Sequence, residues 1–321
     1  MTASTPADMN YPPIRNGMDY LLSVVDHLDH EEEPGERDLK YAVLHLQAAT
    51  EVLLKALLVS LDWTQVFSKP EEADQSAYQR GDFNSCKIDD AIKRLRQRGV
   101  EISPEEKGNI TNLAQQRNRL QHFGLTAAAP AIESRAAQVL DFLIAFVDDH
   151  LRPGVQGADQ QHLDREMLRV REALPRIRSY SATVMKRIAP DLAGREWYTL
   201  RCPDCGKWAL LAEGGETRCL FCETDWYVEV FPLVYAVGVL GHSQRDYRKT
   251  PGGPAEQCPE CDAYALIGEA YVAARPEEAV QYCFGCSTLF EGLEPCIRCA
   301  QLFQPPEDHF AICNDCLGSL G

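Results

Sequence analysis

Between Cys202 and Cys316 the chain carries six C-x-x-C pairs: Cys202/Cys205, Cys219/Cys222, Cys258/Cys261, Cys283/Cys286, Cys296/Cys299 and Cys313/Cys316. Two thiolates at this spacing grip one tetrahedral metal ion from a tight turn, and two such turns complete a four-cysteine site. Six pairs therefore point to three sites, and an all-thiolate donor set suits zinc. A disulfide framework would need an oxidising compartment. The N-terminus, MTASTPADMNYPPIRNG, has no basic start followed by an apolar run, so export is not expected and a cytoplasmic location is. Redox dithiols do not come six to a chain. Every coordination position would be filled by sulfur, so the expected zinc is structural and none of it catalytic. The one remaining cysteine, Cys86, is expected as a small buried apolar residue.

From Trp197 the residues around these pairs form short β-rich runs, such as WYVEVFPLVYAVGVL. Small strands that cannot bury a core alone, stapled by metal, are how zinc ribbons read. CPDCGKW resembles the zinc-ribbon knuckle: Pro203 stiffens the turn and Gly206 lets backbone amides face the sulfurs. Cys202, Cys205, Cys219 and Cys222 form the first site, with 13 residues between the pairs. Cys258, Cys261, Cys283 and Cys286 suggest a second. Cys296, Cys299, Cys313 and Cys316 suggest a third, again with 13 residues between. The last two sites could instead interleave, first pair with third and second with fourth, as in cross-braced modules. Sequential pairing gives ribbons over 196–254, 255–291 and 292–321.

Residues 1–155 read as an all-helical bundle. NGMDYLLSVVDHL repeats Leu21, Leu22, Val25 and Leu28 at helical spacing. ERDLKYAVLHLQAATEVLLKALLVSLDW is longer and strongly apolar, with Leu46, Ala49, Leu53, Leu57 and Leu61 along one stripe, and predicts the central helix. A polar loop follows. Ser85 is placed to cap a short helix closed by Gly99, and Ser103, Pro104 and Glu106 form a capping box for the next. A last long helix carries Val139, Leu143, Phe146 and Val147. Residues 156–195 read as a helical linker broken before Pro175. The fold class is thus α with small β: a helical bundle, a helical linker and an array of ribbons. No stretch approaches the roughly 18 uninterrupted apolar residues of a membrane span, so no membrane partner is expected.

The formal net charge is −16, which disfavours broad adhesion to nucleic acid. Its distribution matters more. Residues 1–155 hold 16 basic and 24 acidic side chains, residues 156–195 hold 8 and 5, and residues 196–321 hold 8 and 19. Acidic ribbons favour a protein partner over nucleic acid. Basic side chains cluster in KRLRQR, with Lys93, Arg94 and Arg96, at Arg117 and Arg119, and from Arg165 to Arg187.

Within the predicted helix that starts at Ser103 stands RNRLQH, Arg117 to His122. A histidine titrates near neutral pH and serves as general acid or base. An arginine offers a fork of donors to phosphate. Together they suit cleavage of RNA by its own 2′-hydroxyl, which needs no metal. Five positions along a helix rotate by about 140°, so Arg117 and His122 do not stack on one face, whereas Asn118 and His122, four apart, do. The plainer reading is also physical. A histidine near a helix C-terminus complements the dipole, worth a few tenths of a kcal/mol, and Arg117 with Arg119 can be a solvated face.

RNRLQH and the preceding apolar helix with its embedded acid, HLQAATEVLLKALL, resemble the HEPN family, helical bundles common in prokaryotic RNase toxins and defence proteins. The resemblance covers about residues 1–150 and nothing after them. It implies Arg117, Asn118 and His122 as the catalytic set, RNA as substrate, and a homodimer in which two motifs line one cleft. Arg119, Lys93, Arg94 and Arg96 would be RNA-binding. Glu51 is either a support for Arg117 or His122, or a surface pair with Lys55 four places on. His45, on the same helix, reads as an ordinary helical surface or packing residue. In relatives regulated by a nucleotidyltransferase, a tyrosine follows two places after the histidine; here Gly124 stands there. The expectation is a metal-independent endoribonuclease of toxin or antiphage type, with the ribbons sensing a partner. The alternative is a non-catalytic dimerisation scaffold that presents ribbons to a protein or nucleic acid.

Overall fold

The computed structural model describes residues 11–30, 33–243, 254–305 and 311–319. The chain divides into two compact units, Met1–Val184 and Met185–Gly321. The first is helical: α1 (Pro13–Leu28), α2 (Glu36–Leu61), α3 (Gln75–Arg80), α4 (Ile88–Arg96), α5 (Pro104–His122), α6 (Ala129–Phe146) and α7 (Gly157–Ala173), with α8 (Arg178–Leu192) running into the second unit. As its apolar stripe predicts, α2 is the hub, packing on α1, α4, α5 and α6. Leu46, Ala49, Leu53 and Leu57 are buried there, whereas Leu61, at the end of the stripe, is half exposed. Burial of each leucine contributes about 2 kcal/mol. Among the described residues α2 is also the helix long and apolar enough to cross a membrane, and more than half of it is buried inside the bundle. The α1·α2 contact is the most extensive, and Gly17 permits a close approach there: a Cβ would lie 2.5 Å from Leu53 Cδ2.

The capping box forms, with Glu106 N–H donating to Ser103 Oγ and Ser103 N–H to Glu106 Oε2. Ser85 does not cap α4. That helix starts two residues later than expected, after Lys87, and Ser85 Oγ accepts from Lys55 Nζ at 2.9 Å instead. Within 156–195, α8 does cross from the first unit into the second, but α7 is part of the helical unit. Leu163, Met167 and Val170, spaced by four and three, are fully buried, and α7 packs on α1. The break before Pro175 occurs, as a single 3-10 turn at Leu174–Arg176.

The second unit is built on antiparallel strands: β1 (Thr199–Arg201), β2 (Trp208–Glu213), β3 (Glu216–Cys219), β4 (Asp225–Trp226), β5 (Glu256–Gln257), β6 (Tyr264–Val272), β7 (Arg275–Cys283) and β8 (Leu289–Phe290). They form one sheet in the order β4-β3-β2-β1-β6-β7-β8, with β5 also on β6. β9 (Glu294–Pro295) and β10 (Leu302–Phe303) pair separately. The modules expected apart at 196–254 and 255–291 are therefore fused, through Leu200 opposite Val272. They share an aromatic core. The run read as β-rich, WYVEVFPLVYAVGVL, turns into α9 (Phe231–Gly238), because Phe231 and Tyr235 recur at helical spacing and Pro232 opens the first turn. Both rings are fully buried and meet Phe284, Phe231 edge-on at 4.8 Å. Tyr282 adds a hydrogen bond from its hydroxyl to the Ala212 carbonyl of β2. The chain ends in the short α10 (Asn314–Gly318).

Candidate functional site

Each C-x-x-C pair but the last sits in the turn of a β-hairpin: β1–β2, β3–β4, β5–β6, β7–β8 and β9–β10. The last lies at the N-terminus of α10. The hairpin turns share one backbone scheme. The N–H of the first cysteine donates to the carbonyl five residues on, as in Cys202 to Lys207, Cys219 to Thr224, Cys258 to Ala263, Cys283 to Thr288 and Cys296 to Gln301. To close that loop, the residue after the second cysteine turns left-handed. Gly206 does so at φ 70°, and so do Glu223, Asp262, Ser287 and Ala300 at 60°, 60°, 59° and 62°. Among the described residues, these are all the non-glycine positions with positive φ. Four residues with a Cβ are thus held where each pays about 1–2 kcal/mol, so the surrounding site must over-determine the turn.

The turns converge in sequence order. Cys202, Cys205, Cys219 and Cys222 form one cluster, Cys258, Cys261, Cys283 and Cys286 a second, and Cys296, Cys299, Cys313 and Cys316 a third. Sulfurs within each cluster lie within 4.8 Å of one another, so the interleaved alternative is not the one adopted. The closest pairs are 3.7 Å for Cys202–Cys222 and Cys205–Cys219, 3.8 Å for Cys258–Cys286, and 3.7 Å for Cys261–Cys283 and Cys299–Cys313. A disulfide needs about 2.05 Å. A tetrahedron with metal–sulfur bonds of about 2.3 Å has edges of about 3.8 Å. The donor set and its spacing therefore fit a divalent cation held by four thiolates. The first cysteine of every pair is buried, and backbone N–H groups point at sulfur, Glu260 to Cys258 at 3.4 Å and Cys313 to Cys296 at 3.3 Å. Cys86 is buried, its N–H donating to the Val66 carbonyl, and burial raises its thiol.

In the helical unit, α5 lays Arg117 against α2. Its Nε donates to Gln47 Oε1 at 2.8 Å, and its Nη1 to Asn118 Oδ1 at 2.9 Å and Gln121 Oε1 at 3.1 Å. Gln47, almost fully buried, passes its own Nε2 to Glu51 Oε2 at 3.1 Å. Glu51 Oε1 accepts from Lys55 Nζ at 2.6 Å, and Arg117 Nη2 stands 3.9 Å from Glu51 Oε2. Glu51 thus pairs with Lys55 and, at longer range, faces Arg117. Burial pushes its carboxyl up, but Lys55, Gln47 and Arg117 outweigh this and hold it below the ordinary carboxylate value. Gln47 was not singled out in the sequence. The readable signal was Gln47, Glu51 and Lys55 at four-residue steps along one helix face.

His122 ends α5 and is exposed, beside the nearly bare ring of Phe123. Among the described residues no hydrogen bond holds its imidazole. Asn118 turns to Arg117 rather than orienting His122, although the two lie four apart. Of the expected RNA-binding residues, Lys93, Arg96 and Arg119 are exposed. Arg94 is committed elsewhere: its guanidinium donates to the Gln65, Phe67 and Ser68 carbonyls, at 2.6 Å for Phe67 and 3.1 Å for Ser68, and so clamps the loop after α2. His45 is a packing residue, within 5.8 Å of the Tyr20, His27 and Tyr41 rings, with Ser23 Oγ 2.9 Å from its Nδ1. No protein-family model, curated protein or solved structure matches the chain.

Proposed function

We propose that the helical unit is a HEPN-type endoribonuclease that needs no catalytic metal, and that the three cysteine clusters are structural zinc sites. The observation that carries the reading is a pairing of opposites. Arg117 is held by a buried amide, while His122, five residues on in the same helix, is exposed, and among the described residues no hydrogen bond holds its imidazole. A fixed cation and a free acid–base group, brought together by two copies of the chain meeting at one cleft, are what phosphodiester cleavage asks of a protein. In the proposed reaction His122 takes the proton of an RNA 2′-hydroxyl, whose oxygen attacks the adjacent phosphorus. Arg117 faces the developing phosphorane charge. The 5′-oxygen of the next nucleotide leaves and takes a proton from a second imidazole, supplied by His122 of a second copy of the chain. The products are a 2′,3′-cyclic phosphate and a 5′-hydroxyl. Zinc, when bound in the clusters, supplies the staple that small strands need and no reactive position. The setting, toxin or antiphage defence with the ribbons reading a partner, rests on resemblance alone.

One observation favours the second reading, a non-catalytic scaffold. Two of the three guanidinium nitrogens of Arg117 already donate hydrogen bonds inside the protein, and the third stands opposite Glu51. The test is RNA cleavage by the full chain in EDTA-containing buffer, with zinc content checked, for wild type, His122→Ala and Arg117→Ala. Cyclic phosphate ends that vanish in both variants support the ribonuclease. Cleavage indifferent to either substitution removes the site, and no cleavage by folded, zinc-loaded wild type favours the scaffold.

A further inference from the structure

A groove of about 690 Å³ lies beside the turn that carries His122. Arg37, Lys40 and Tyr41 of α2 form one side, and Leu120 of α5 with Leu125 after it form the other. His122 stands between those two leucines in the chain. The cations are arranged in an uncommon way. Arg37 Cζ lies 5.2 Å and Lys40 Nζ 5.6 Å from the centre of the Tyr41 ring, and among the described residues neither pairs with a carboxylate. The ring restrains both side chains without neutralising them. His27 stacks on the same ring at 5.4 Å. Nearby acid is mostly diverted: Asp38 turns away to His27 at 3.2 Å and His30 at 3.9 Å, which leaves Glu36 as the acid that lines the groove. In a chain of net charge −16, a pair of cations left bare beside an apolar wall is a local exception.

We propose that this groove binds a single strand of RNA, with Arg37 and Lys40 on consecutive phosphates and the Leu120–Leu125 wall against a base or sugar, leading the strand to His122. The inference rests on the ribonuclease reading and deepens it. A volume of this size suits a ligand of a nucleotide or so and is too small for a double helix. Unpaired cations on phosphates supply the salt-dependent part of such binding, and the apolar wall the remainder.

The experiment is fluorescence anisotropy of a short labelled 2′-O-methyl RNA strand, which cannot be cleaved by its own 2′-oxygen, with the full chain over a range of salt. The proteins are wild type, Arg37→Ala/Lys40→Ala, and the charge-keeping Arg37→Lys/Lys40→Arg. Both positions are exposed, so the fold should survive, and circular dichroism checks it. Each lost phosphate contact lowers the salt slope by about 0.7 for a single strand, so the double alanine variant should lose about 1.4 in slope and roughly tenfold in affinity. The charge-keeping variant should lose little. Unchanged affinity and slope in the alanine variant, equal binding of the duplex form, or no binding by wild type overturns the groove. Binding that depends on Arg37 and Lys40 without any cleavage keeps the groove and sinks the ribonuclease. His122-dependent cleavage with binding indifferent to both cations does the reverse.

Discussion

Ala300 offers a clean perturbation of the cysteine turns. It follows Cys299, holds φ at 62°, and has no side-chain group that could offset the conformation. An L-residue in the left-handed region costs about 1–2 kcal/mol. Glycine removes that cost and adds about 0.4–1 kcal/mol of unfolded-state entropy. Ala300→Gly should therefore strengthen the third cluster by about 0.5–1 kcal/mol, up to about fivefold in metal affinity. Gly206→Ala is its mirror. There φ is 70°, and the added Cβ would meet nothing closer than Arg201 Nη2 at 3.9 Å, so only the backbone resists. It should weaken the first cluster by a similar amount. The assay is equilibrium competition between the full chain and a chromophoric zinc chelator. One of three metal equivalents should become harder to remove in Ala300→Gly, and one easier in Gly206→Ala. An unchanged curve in both would refute the claim that metal binding holds these turns against their own backbone preference.

Progressive chelation should release metal in two stages, because the third cluster rests on its own two-stranded sheet while the first two share one; simultaneous loss of all three equivalents in a metal-release titration would contradict this. Helical circular dichroism should persist through that titration, since the first unit's core contains none of the clustered cysteines. On the ribonuclease reading proposed above, Gln47→Leu, which keeps the volume but frees Arg117 Nε, should lower RNA cleavage through kcat by roughly tenfold with the helical unit intact, and Gln47→Glu should restore part of it; an unchanged kcat would make Gln47 merely structural. Glu51 has a depressed folded value, so its stabilising contribution is present above the ordinary carboxylate value and is lost as pH falls through the folded one. His45 is depressed too, chiefly by burial, so it opposes folding as pH drops below the ordinary histidine value. Acid unfolding of Glu51→Gln should accordingly show a flatter slope in the carboxylate range, read by circular dichroism.

Much of this was legible because its signals were local or strictly periodic. The cysteine pairs announced three four-sulfur clusters, since the chemistry lies in the spacing. The Leu46–Leu57 stripe announced the hub, and Ser103 with Glu106 announced a helix start. What escaped was non-local. The fusion of the first two modules depends on Leu200 meeting Val272 across 71 intervening residues, and no local pattern encodes that. Four of the left-handed turns escaped because Glu223, Asp262, Ser287 and Ala300 stand where glycine would have flagged them. Arg94 looked like a surface cation in KRLRQR, and nothing in those six residues says that three carbonyls of another loop wait for it. Asn118 had two partners within reach, and helix spacing alone did not choose Arg117 over His122.

The seam between β1 and β6 also sets how the second unit can be taken apart. Leu200 and Val272 are fully buried where those strands meet, and the Ala273 N–H donates to the Thr199 carbonyl across the same line. Cutting the chain between the first two clusters would bare an apolar strand edge on each fragment, with its donors and acceptors unpaired. Such fragments, each with at least one complete four-cysteine cluster, should self-associate rather than behave as small independent domains. The divisible piece is the third cluster, and a truncation series that respects the sheet, not the cysteine spacing, is the one that should yield well-behaved protein.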